Sequence, residues 1–282
     1  MKPDSRFLLQ PKSFWANIRS LSQHIGYTKK KQIHVPSLIE VEMAFKEMGL
    51  SSSHVIKKRK ITPLGRIIIE YFEYRAALLN HTVEPLLMDA DEARAAFEDL
   101  ARKQKFKCAI PMNKQKGRKR APAYFTGIIN MMIESNCEDV NCDYAPRELT
   151  TLTHDGIPVR TLARWVDGAF PRAVNPIAIW EIKEYYYTTT FGSRVADVVY
   201  ESLLDGMELE ELEEHEGIKV LHYIMVDSHN TWWMDGKSYL CRLIDMLHMG
   251  YVDEILFGKE VLSRMPGIVR SWVQKERNLK RR

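Results

Sequence analysis

The sequence predicts an α/β protein in which a mixed sheet is flanked by helices and preceded by a helical region. Over the first hundred residues, apolar side chains recur at helical spacing and strand patterns are scarce. From about residue 156 onward, short runs rich in Val, Ile, Trp and Tyr are bounded by Gly, Pro and Asn. These runs alternate with amphipathic segments, which favours a sheet covered on both faces by helices.

The first helices of the chain are marked by apolar stripes and by capping residues. Residues 13–27 place Phe14, Ile18 and Leu21 on one helical stripe. A second helix is expected to begin at Pro36 and Ser37 and to end at Gly49.

The lysine-rich segment 51–60 follows this helix and predicts a second short helix. Two helices joined by a Gly-containing turn, the second one basic, outline a helix-turn-helix. Two further helices are expected over 62–80 and 89–104. We therefore assign residues 1–105 to a helical region with a possible role in DNA recognition.

A basic segment separates this region from the rest of the chain. Residues 102–120 contain nine Lys or Arg and no Asp or Glu, and they show no apolar periodicity, so residues 106–120 are expected to form a loop or linker.

Residues 121–282 are predicted to form the α/β domain. Its first helix covers 121–136 and buries Phe125, Ile128 and Ile129. The predicted strands are 157–167, 176–187, 218–227 and 252–258, and the predicted helices between and after them are 193–212 and 237–250.

Composition excludes several classes of protein. No run approaches the roughly 18 apolar residues of a membrane span, and the N-terminus lacks an apolar signal-peptide centre. Four cysteines are too few for a disulfide scaffold in 282 residues. Cys137 and Cys142, with His154 downstream, lack the second close pair that a zinc site needs. A cytoplasmic protein is therefore expected.

The net charge is only +4, but the basic residues are clustered. Besides 102–120, basic runs lie at 29–31, 57–60 and the C-terminus, while residues 208–216 are acidic. Each run alone is usually a solvated surface, but four basic clusters in one chain favour a nucleic acid partner.

Three charged residues stand on segments that otherwise have the character of buried strands. Asp167 follows one apolar run, and Glu181 and Lys183 lie inside the next. Residues two apart on a strand point to the same face, so Glu181 and Lys183 project together. The loop between the runs carries Pro171 and Asn175, which suit a hairpin that would bring Asp167 near Glu181.

Two neighbouring carboxylates repel each other, and burial increases the repulsion unless a cation lies between them. Mg²⁺ prefers one or two carboxylates together with water and a substrate phosphate. The sequence thus predicts a magnesium site at Asp167 and Glu181. Lys183 beside it could help to deprotonate a water or stabilise negative charge on phosphorus.

These residues resemble the PD-(D/E)XK nuclease superfamily, which has the restriction-endonuclease-like fold. Its pattern is an Asp at the end of one strand, then Glu or Asp, any residue and Lys on the next strand, followed by a helix and further strands. Asp167 and Glu181-Ile182-Lys183 match that order, although Val166 replaces the family's Pro. The resemblance covers at most residues 121–258. It implies that Asp167 and Glu181 bind Mg²⁺, for which Mn²⁺ can substitute, and that Lys183 assists the attacking water.

Other residues are candidates for supporting roles. Many members of the superfamily carry a Glu on the preceding helix, and Glu134 is the candidate, although its position on the polar face also suits solvent exposure. Asp155, followed by Gly156, is a rival for the first carboxylate but resembles a turn residue. The predicted phosphate contacts are Lys114, Lys116, Arg118, Lys119, Arg120, Ser193 and Arg194, and a helix cap is an equal alternative for Ser193.

The function expected from these observations is that of a Mg²⁺-dependent DNA endonuclease. A restriction-type homodimer acting on specific sites in double-stranded DNA is favoured, because two strands require two active sites. Two alternatives stay open. One is a DNA-binding protein with an inert nuclease-like domain, and the other is a nuclease specific for RNA or for damaged or branched DNA.

Overall fold

The computed structural model describes residues 1–58, 60–113, 121–187 and 193–281. Its helices are α1 Ser5–Leu8, α2 Lys12–Ile25, α3 Leu38–Glu47, α4 Pro63–Leu78, α5 Ala90–Lys103, α6 Tyr124–Glu134, α7 Ser193–Glu216, α8 Lys237–His248 and α9 Glu260–Lys280. Its strands are β1 Thr28–Lys29, β2 Gln32–Ile33, β3 Ile56–Lys57, β4 Lys60–Ile61, β5 Thr151–His154, β6 Ile157–Thr161, β7 Gly168–Phe170, β8 Ala178–Glu184, β9 Leu221–Asp227 and β10 Glu254–Phe257.

The main sheet has the strand order β10-β9-β8-β7 within the described ranges. β7 runs antiparallel to β8, whereas β8, β9 and β10 are mutually parallel. The predicted mixed sheet is therefore confirmed. The parallel pairs are connected through α7 and α8, since parallel neighbours require a crossover.

Helices cover both faces of this sheet. On one face, Ile224 and Val226 pack against apolar residues of α7 and α8. On the other face, Trp180 and Met225 pack against residues of α6 and α9, including Trp272. Trp180 and Trp272 are stacked, with ring centroids 5.6 Å apart. The sheet is thus the middle of three layers, as the alternating pattern predicts.

The N-terminal helices form where the capping residues predict them. Ser37 caps α3 and forms a capping box with Glu40, and Gly49 has the positive φ of 69° that ends this segment. Phe14, Ile18 and Leu21 are fully buried in one cluster with residues of α3 and α4.

The prediction of a second helix for the helix-turn-helix is wrong. Residues 51–55 form a turn, and Ile56–Lys57 pairs with Lys60–Ile61 in a β-hairpin. Two features explain the difference. The adjacent β-branched residues Val55 and Ile56 disfavour a helix, and Lys58 takes a left-handed φ of 50°. The lysine run is consequently an exposed hairpin tip.

The strand predicted over 157–167 is divided into two. Ile157–Thr161 pairs with β5 in a separate two-stranded sheet, and Gly168–Phe170 joins the main sheet. Residues 162–167 between them are not a strand, and Leu162 and Val166 turn into a core formed with α7 and Ile179.

The predicted division at 105–121 falls next to a helix that shares the core of the α/β part. α5 packs on α6, and Ala93 is fully buried in the cluster that contains Trp180. Among the described helices, none combines the length and the apolar character required to cross a lipid bilayer.

A buried ion pair ties the N-terminal helices to α8. Arg75 of α4 donates from Nη1 to Asp245 Oδ1 at 2.8 Å, and the Tyr71 hydroxyl donates to the same oxygen at 2.6 Å. Arg75 and Asp245 are 1% and 3% exposed. Because water cannot solvate charges buried this deeply, Arg75 and Asp245 each depend on the other for charge compensation.

We expect Arg75→Ala to lower the free energy of unfolding by about 3–5 kcal/mol, because Asp245 loses its cation inside the protein. Arg66→Ala, at an exposed position on the same helix, should change it by less than about 0.5 kcal/mol. Urea unfolding followed by circular dichroism measures both. Equal effects of the two substitutions would contradict this role of the ion pair.

Candidate functional site

The structure brings Asp167, Glu181 and Lys183 together at the β7–β8 pair. Gly168 is the register partner of Trp180, so the next step outward sets Asp167 beside Glu181. Asp167 accepts the Ile182 N–H through Oδ2 at 2.7 Å. Lys183 Nζ lies 2.8 Å from Glu181 Oε2. The assumed antiparallel pairing around the 171–177 loop is confirmed.

A fourth charged residue, Arg164, joins the trio to α7. Its Nη1 donates to Glu181 Oε1 at 2.8 Å and to Asp205 Oδ2 at 2.6 Å. Its Nη2 donates to Glu181 Oε2 at 3.2 Å and to Glu201 Oε2 at 3.3 Å. Arg164 thus binds Glu181 in a bidentate manner and fastens β8 to the overlying helix.

Lys183 reaches the same helix and completes what we call the charge cluster: Arg164, Asp167, Glu181, Lys183, Glu201 and Asp205. Lys183 Nζ donates to Glu201 Oε2 at 3.0 Å. Four carboxylates meet two cationic side chains, so the fully ionised cluster carries a formal charge of −2. Glu181 and Asp205 are both 0% exposed, which makes the excess negative charge costly.

The cations of the cluster keep Glu181 ionised. Burial acts to raise the pKa of Glu181, but the nearby charges of Lys183 and Arg164 outweigh it and hold the pKa below its usual value. Burial likewise acts to lower the pKa of Lys183, yet Glu181 and Asp167 raise it overall. Lys183 is therefore an ammonium at neutral pH.

Two of the three other carboxyl groups, those of Asp167 and Asp205, have raised pKa values. Desolvation, and then the negative charge of Glu181, raise the pKa of Asp167 to about 6. Desolvation also raises the pKa of Asp205 to about 7, against the opposing effect of Arg164. Although its carboxyl group lies among protein atoms, residue Asp167 is exposed on one side, so solvent and ions can reach it.

The donor set of the cluster fits a divalent cation in part. Asp167 and Glu181 supply hard oxygen ligands of the kind that Mg²⁺ takes from proteins, and an added cation would offset the excess negative charge. Asp205 Oδ1 is buried and accepts no hydrogen bond from the described residues. However, Glu181 is occupied by Arg164 and Lys183. In the described part of the chain, no three His, Cys, Asp or Glu side chains are grouped to hold a metal.

The structure gives Glu134 a local role. Its carboxylate accepts the backbone N–H groups of Lys107 and Cys108, each at 3.0 Å. It thereby anchors the segment after α5 to the end of α6. None of the described hydrogen bonds links Glu134 to the charge cluster, and its active-site role stays a prediction.

The other candidates divide between the described and the undescribed residues. Asp155 lies exposed in the β5–β6 turn, with a left-handed φ of 49° followed by Gly156 at 81°, so its interpretation as a turn residue is confirmed. Outside the described residues lie the predicted DNA contacts Lys114, Lys116, Arg118, Lys119 and Arg120. Ser193 and Arg194 begin α7, but their side chains are not described.

Sequence reasoning missed Arg164, Glu201 and Asp205. One buried stripe of α7 consists of Val195, Val198, Ser202, Asp205, Leu209 and Leu212. A carboxylate at a position of this apolar stripe is the feature that could have revealed Asp205, because a buried acid needs a cation. Arg164 had no such pattern, since its irregular segment becomes part of the site only in the folded chain.

Comparison with known proteins gives two family matches. Residues 88–272 match a family model described as domain of unknown function DUF7687, and residues 1–82 match a second, described as domain of unknown function DUF7690. A search of curated proteins and a search of solved structures found no match. The two matched segments meet close to the end of α4.

Gly168 is required for the position of Asp167. A Cβ at this residue would lie 2.1 Å from the Trp180 ring, so Gly168→Ala should force the ring or β7 to move and cost about 1–3 kcal/mol of stability. Gly267→Ala is the matched control, because a Cβ added there would meet no atom within 4 Å apart from the neighbouring residues and backbone of α9 itself. It should stabilise the protein by about 0.5–1 kcal/mol. Thermal unfolding measures both, and a neutral Gly168→Ala would contradict the tight approach.

The raised pKa of Asp205 makes stability depend on pH. With its pKa raised from 3.8 to about 7 in the folded state, Asp205 binds more protons folded than unfolded. The contribution of Asp205 to the free energy of unfolding therefore falls as pH rises from about 4 to about 7 and levels off above. Asp205→Asn should shrink the loss of stability between about pH 5 and about pH 8 by on the order of 1 kcal/mol.

Urea unfolding at the two pH values tests this dependence. Glu214→Gln removes an exposed carboxylate from the same helix and should leave the difference unchanged. An Asp205→Asn protein with the full wild-type difference would show that Asp205 is ionised in the folded protein throughout this range.

Proposed function

The chain belongs to the family described as domain of unknown function DUF7687, and we propose that it is a Mg²⁺-dependent DNA endonuclease that hydrolyses phosphodiester bonds. The observation that carries the proposal is the convergence of Asp167, Glu181 and Lys183. The Asp167 carboxylate contacts the backbone between the other two residues at 2.7 Å, and Lys183 lies 2.8 Å from Glu181. Two carboxylates and an ammonium on one strand pair suit phosphoryl chemistry.

Asp167 and Glu181 would hold the metal. Asp167 is the accessible member of the pair, and Glu181 is the buried one that stays ionised. A bound Mg²⁺ would neutralise charge on the scissile phosphate and lower the pKa of an attacking water. Its binding would also offset the excess negative charge of the cluster. This supports the proposal that a cation binds between the two carboxylates.

Lys183 suits the stabilisation of negative charge. Because its pKa is raised by Glu181 and Asp167, the side chain keeps its proton at neutral pH and is a poor base. Residue Lys183 is 7% exposed, and Glu181 and Glu201 orient its ammonium group. This group can instead stabilise the negative charge that builds up on the phosphate in the transition state. Arg164 positions Glu181 from the opposite side.

The strand arrangement agrees with the resemblance to the PD-(D/E)XK superfamily. Along the chain, Asp167 directly precedes β7, which is followed by β8 with Glu181 and Lys183, then by α7 and β9. This order supports a restriction-endonuclease-like core, which we include in the proposal. The proposed substrate is double-stranded DNA cut at specific sites, and the proposed state is a homodimer with one active site for each strand.

The exposed lysines of the N-terminal region support a nucleic acid substrate. Lys57, Lys58 and Lys60 stand at the exposed β3–β4 hairpin, and Lys29, Lys30 and Lys31 at the exposed β1–β2 hairpin. Hairpin tips of this charge suit contacts with phosphates, which add affinity without reading sequence.

Cleavage of plasmid and phage DNA by the purified protein tests the proposal. We expect cleavage with Mg²⁺ or Mn²⁺ and none with excess EDTA, and sequencing of the ends would give the site. Asp167→Asn and Lys183→Ala should each reduce the rate about 100-fold or more, because the ligand or the transition-state charge partner is lost. DNA binding, measured by fluorescence anisotropy with Ca²⁺, should persist.

Asp155→Asn is the matched control for Asp167→Asn. Asp155 is an exposed acid in a tight turn, and Asn tolerates its left-handed φ. This variant should cleave like the wild type. A wild-type protein that cleaves no DNA substrate with either metal, or an Asp167→Asn protein that cleaves normally, would contradict the proposal.

The second candidate is a DNA-binding protein with an inert nuclease-like domain. The observation that favours it is the saturation of Glu181 by Arg164 and Lys183, which lets the cluster act as a purely structural fastening of β8 to α7. It predicts DNA binding without cleavage. In that case Asp167→Asn would change neither binding nor any reaction.

A further inference from the structure

A separate cavity lies where the N-terminal helices meet α7 and α8. Its volume is about 280 Å³. Arg19, Gln23 and Tyr27 come from the segment that matches one family model, and Leu203 and Arg242 from the segment that matches the other. Cavities between structural units are common places for small ligands.

The cavity carries surplus positive charge. Asp245 contributes to its wall, but this carboxylate is neutralised from behind by Arg75 at 2.8 Å. Within the described residues, Arg19 and Arg242 form no salt bridge. Arg242 and the exposed Arg19 thus line the cavity without a salt-bridge partner among the described residues, so an anion is the complementary ligand.

Aromatic rings and an amide, rather than a carboxylate, hold Arg242 in place within the described residues. Its guanidinium lies 4.7 Å from the centre of the Tyr27 ring and 4.9 Å from that of Tyr239. Its Nη2 also reaches Gln23 Oε1 at 3.5 Å. These contacts orient the guanidinium and leave donors free for a ligand, which lowers the entropic cost of binding.

The rest of the wall is apolar and limits the size of the ligand. Val199, Leu203 and Met246 line the cavity, so part of the ligand must be apolar. The volume of about 280 Å³ is slightly below the range of roughly 300–1,000 Å³ usual for drug-sized ligands. It admits one anionic group on a body the size of a single ring.

We propose that this cavity binds a small organic anion, in which a phosphate or carboxylate contacts Arg19 and Arg242 and a ring-sized apolar group contacts α7 and α8. The bound ligand bridges the two family segments and stabilises the folded chain by mass action. The proposal does not depend on nuclease activity, since none of the charge-cluster residues lines the cavity.

Isothermal titration calorimetry of the full chain with phenyl phosphate and with benzoate tests this proposal and separates the two anionic groups. Inorganic phosphate lacks the apolar body, and phenol lacks the charge. We expect one saturable site for phenyl phosphate or benzoate, at least about tenfold tighter than for phosphate or phenol. Ligand binding should also raise the melting temperature.

Substitutions then locate the site. Arg242→Gln and Arg19→Gln should each weaken binding by about tenfold, whereas Arg66→Gln, at an exposed position on α4 away from the lining, should not. Leu203→Trp fills the cavity and should abolish binding while both arginines remain. Circular dichroism confirms that each variant is folded.

Two results would overturn the proposal. One is the absence of saturable binding of both aromatic anions by the folded wild type at concentrations up to about 10 mM. The other is unchanged affinity in the folded Arg242→Gln and Leu203→Trp proteins, which would place the bound anion elsewhere on the surface.

Discussion

The contact on which this structure most depends is the bidentate hold of Arg164 on Glu181. Glu181 is fully buried on the central strand β8, where an isolated carboxylate would be strongly unfavourable. Arg164 supplies the compensating charge at 2.8 Å and also reaches Asp205 and Glu201 on α7. The guanidinium of Arg164 thus stabilises the ionised Glu181 inside the protein and joins β8 to α7.

α7 is the element that connects the other features. Glu201 and Asp205 face the sheet and complete the charge cluster, whereas Val199 and Leu203 line the cavity against the N-terminal helices. The helix therefore carries an excess of negative charge on one side, and on the other it lines a cavity with Arg19 and Arg242, which form no salt bridge within the described residues. On this second side, the buried ion pair of Arg75 and Asp245 joins α4 to α8. The charge cluster and the cavity therefore share α7 as a common wall.

Contacts between residues close in the sequence can be predicted more reliably than contacts between residues far apart in it. Ser37 predicts the start of α3 because its hydroxyl needs only the amide three residues away. The 51–60 segment misleads because lysines have good helix propensity, while the adjacent Val55 and Ile56 and the left-handed Lys58 form a hairpin against α4. Gly65 allows that approach, since a Cβ there would lie 2.3 Å from the Val55 carbonyl oxygen.

The sequence by itself determined the helical and strand periods, the hairpin around residues 171–177, and the shared face of Glu181 and Lys183, because these follow from spacing along the backbone. It also singled out Asp167, through the turn residues that bring it back to the neighbouring strand. Only the tertiary structure decided that Arg164, Glu201 and Asp205 join them, and that Glu134 accepts the backbone N–H groups of residues 107–108. The physical reason is that a salt bridge across 17 to 41 residues depends on how layers pack, and no local pattern encodes that distance.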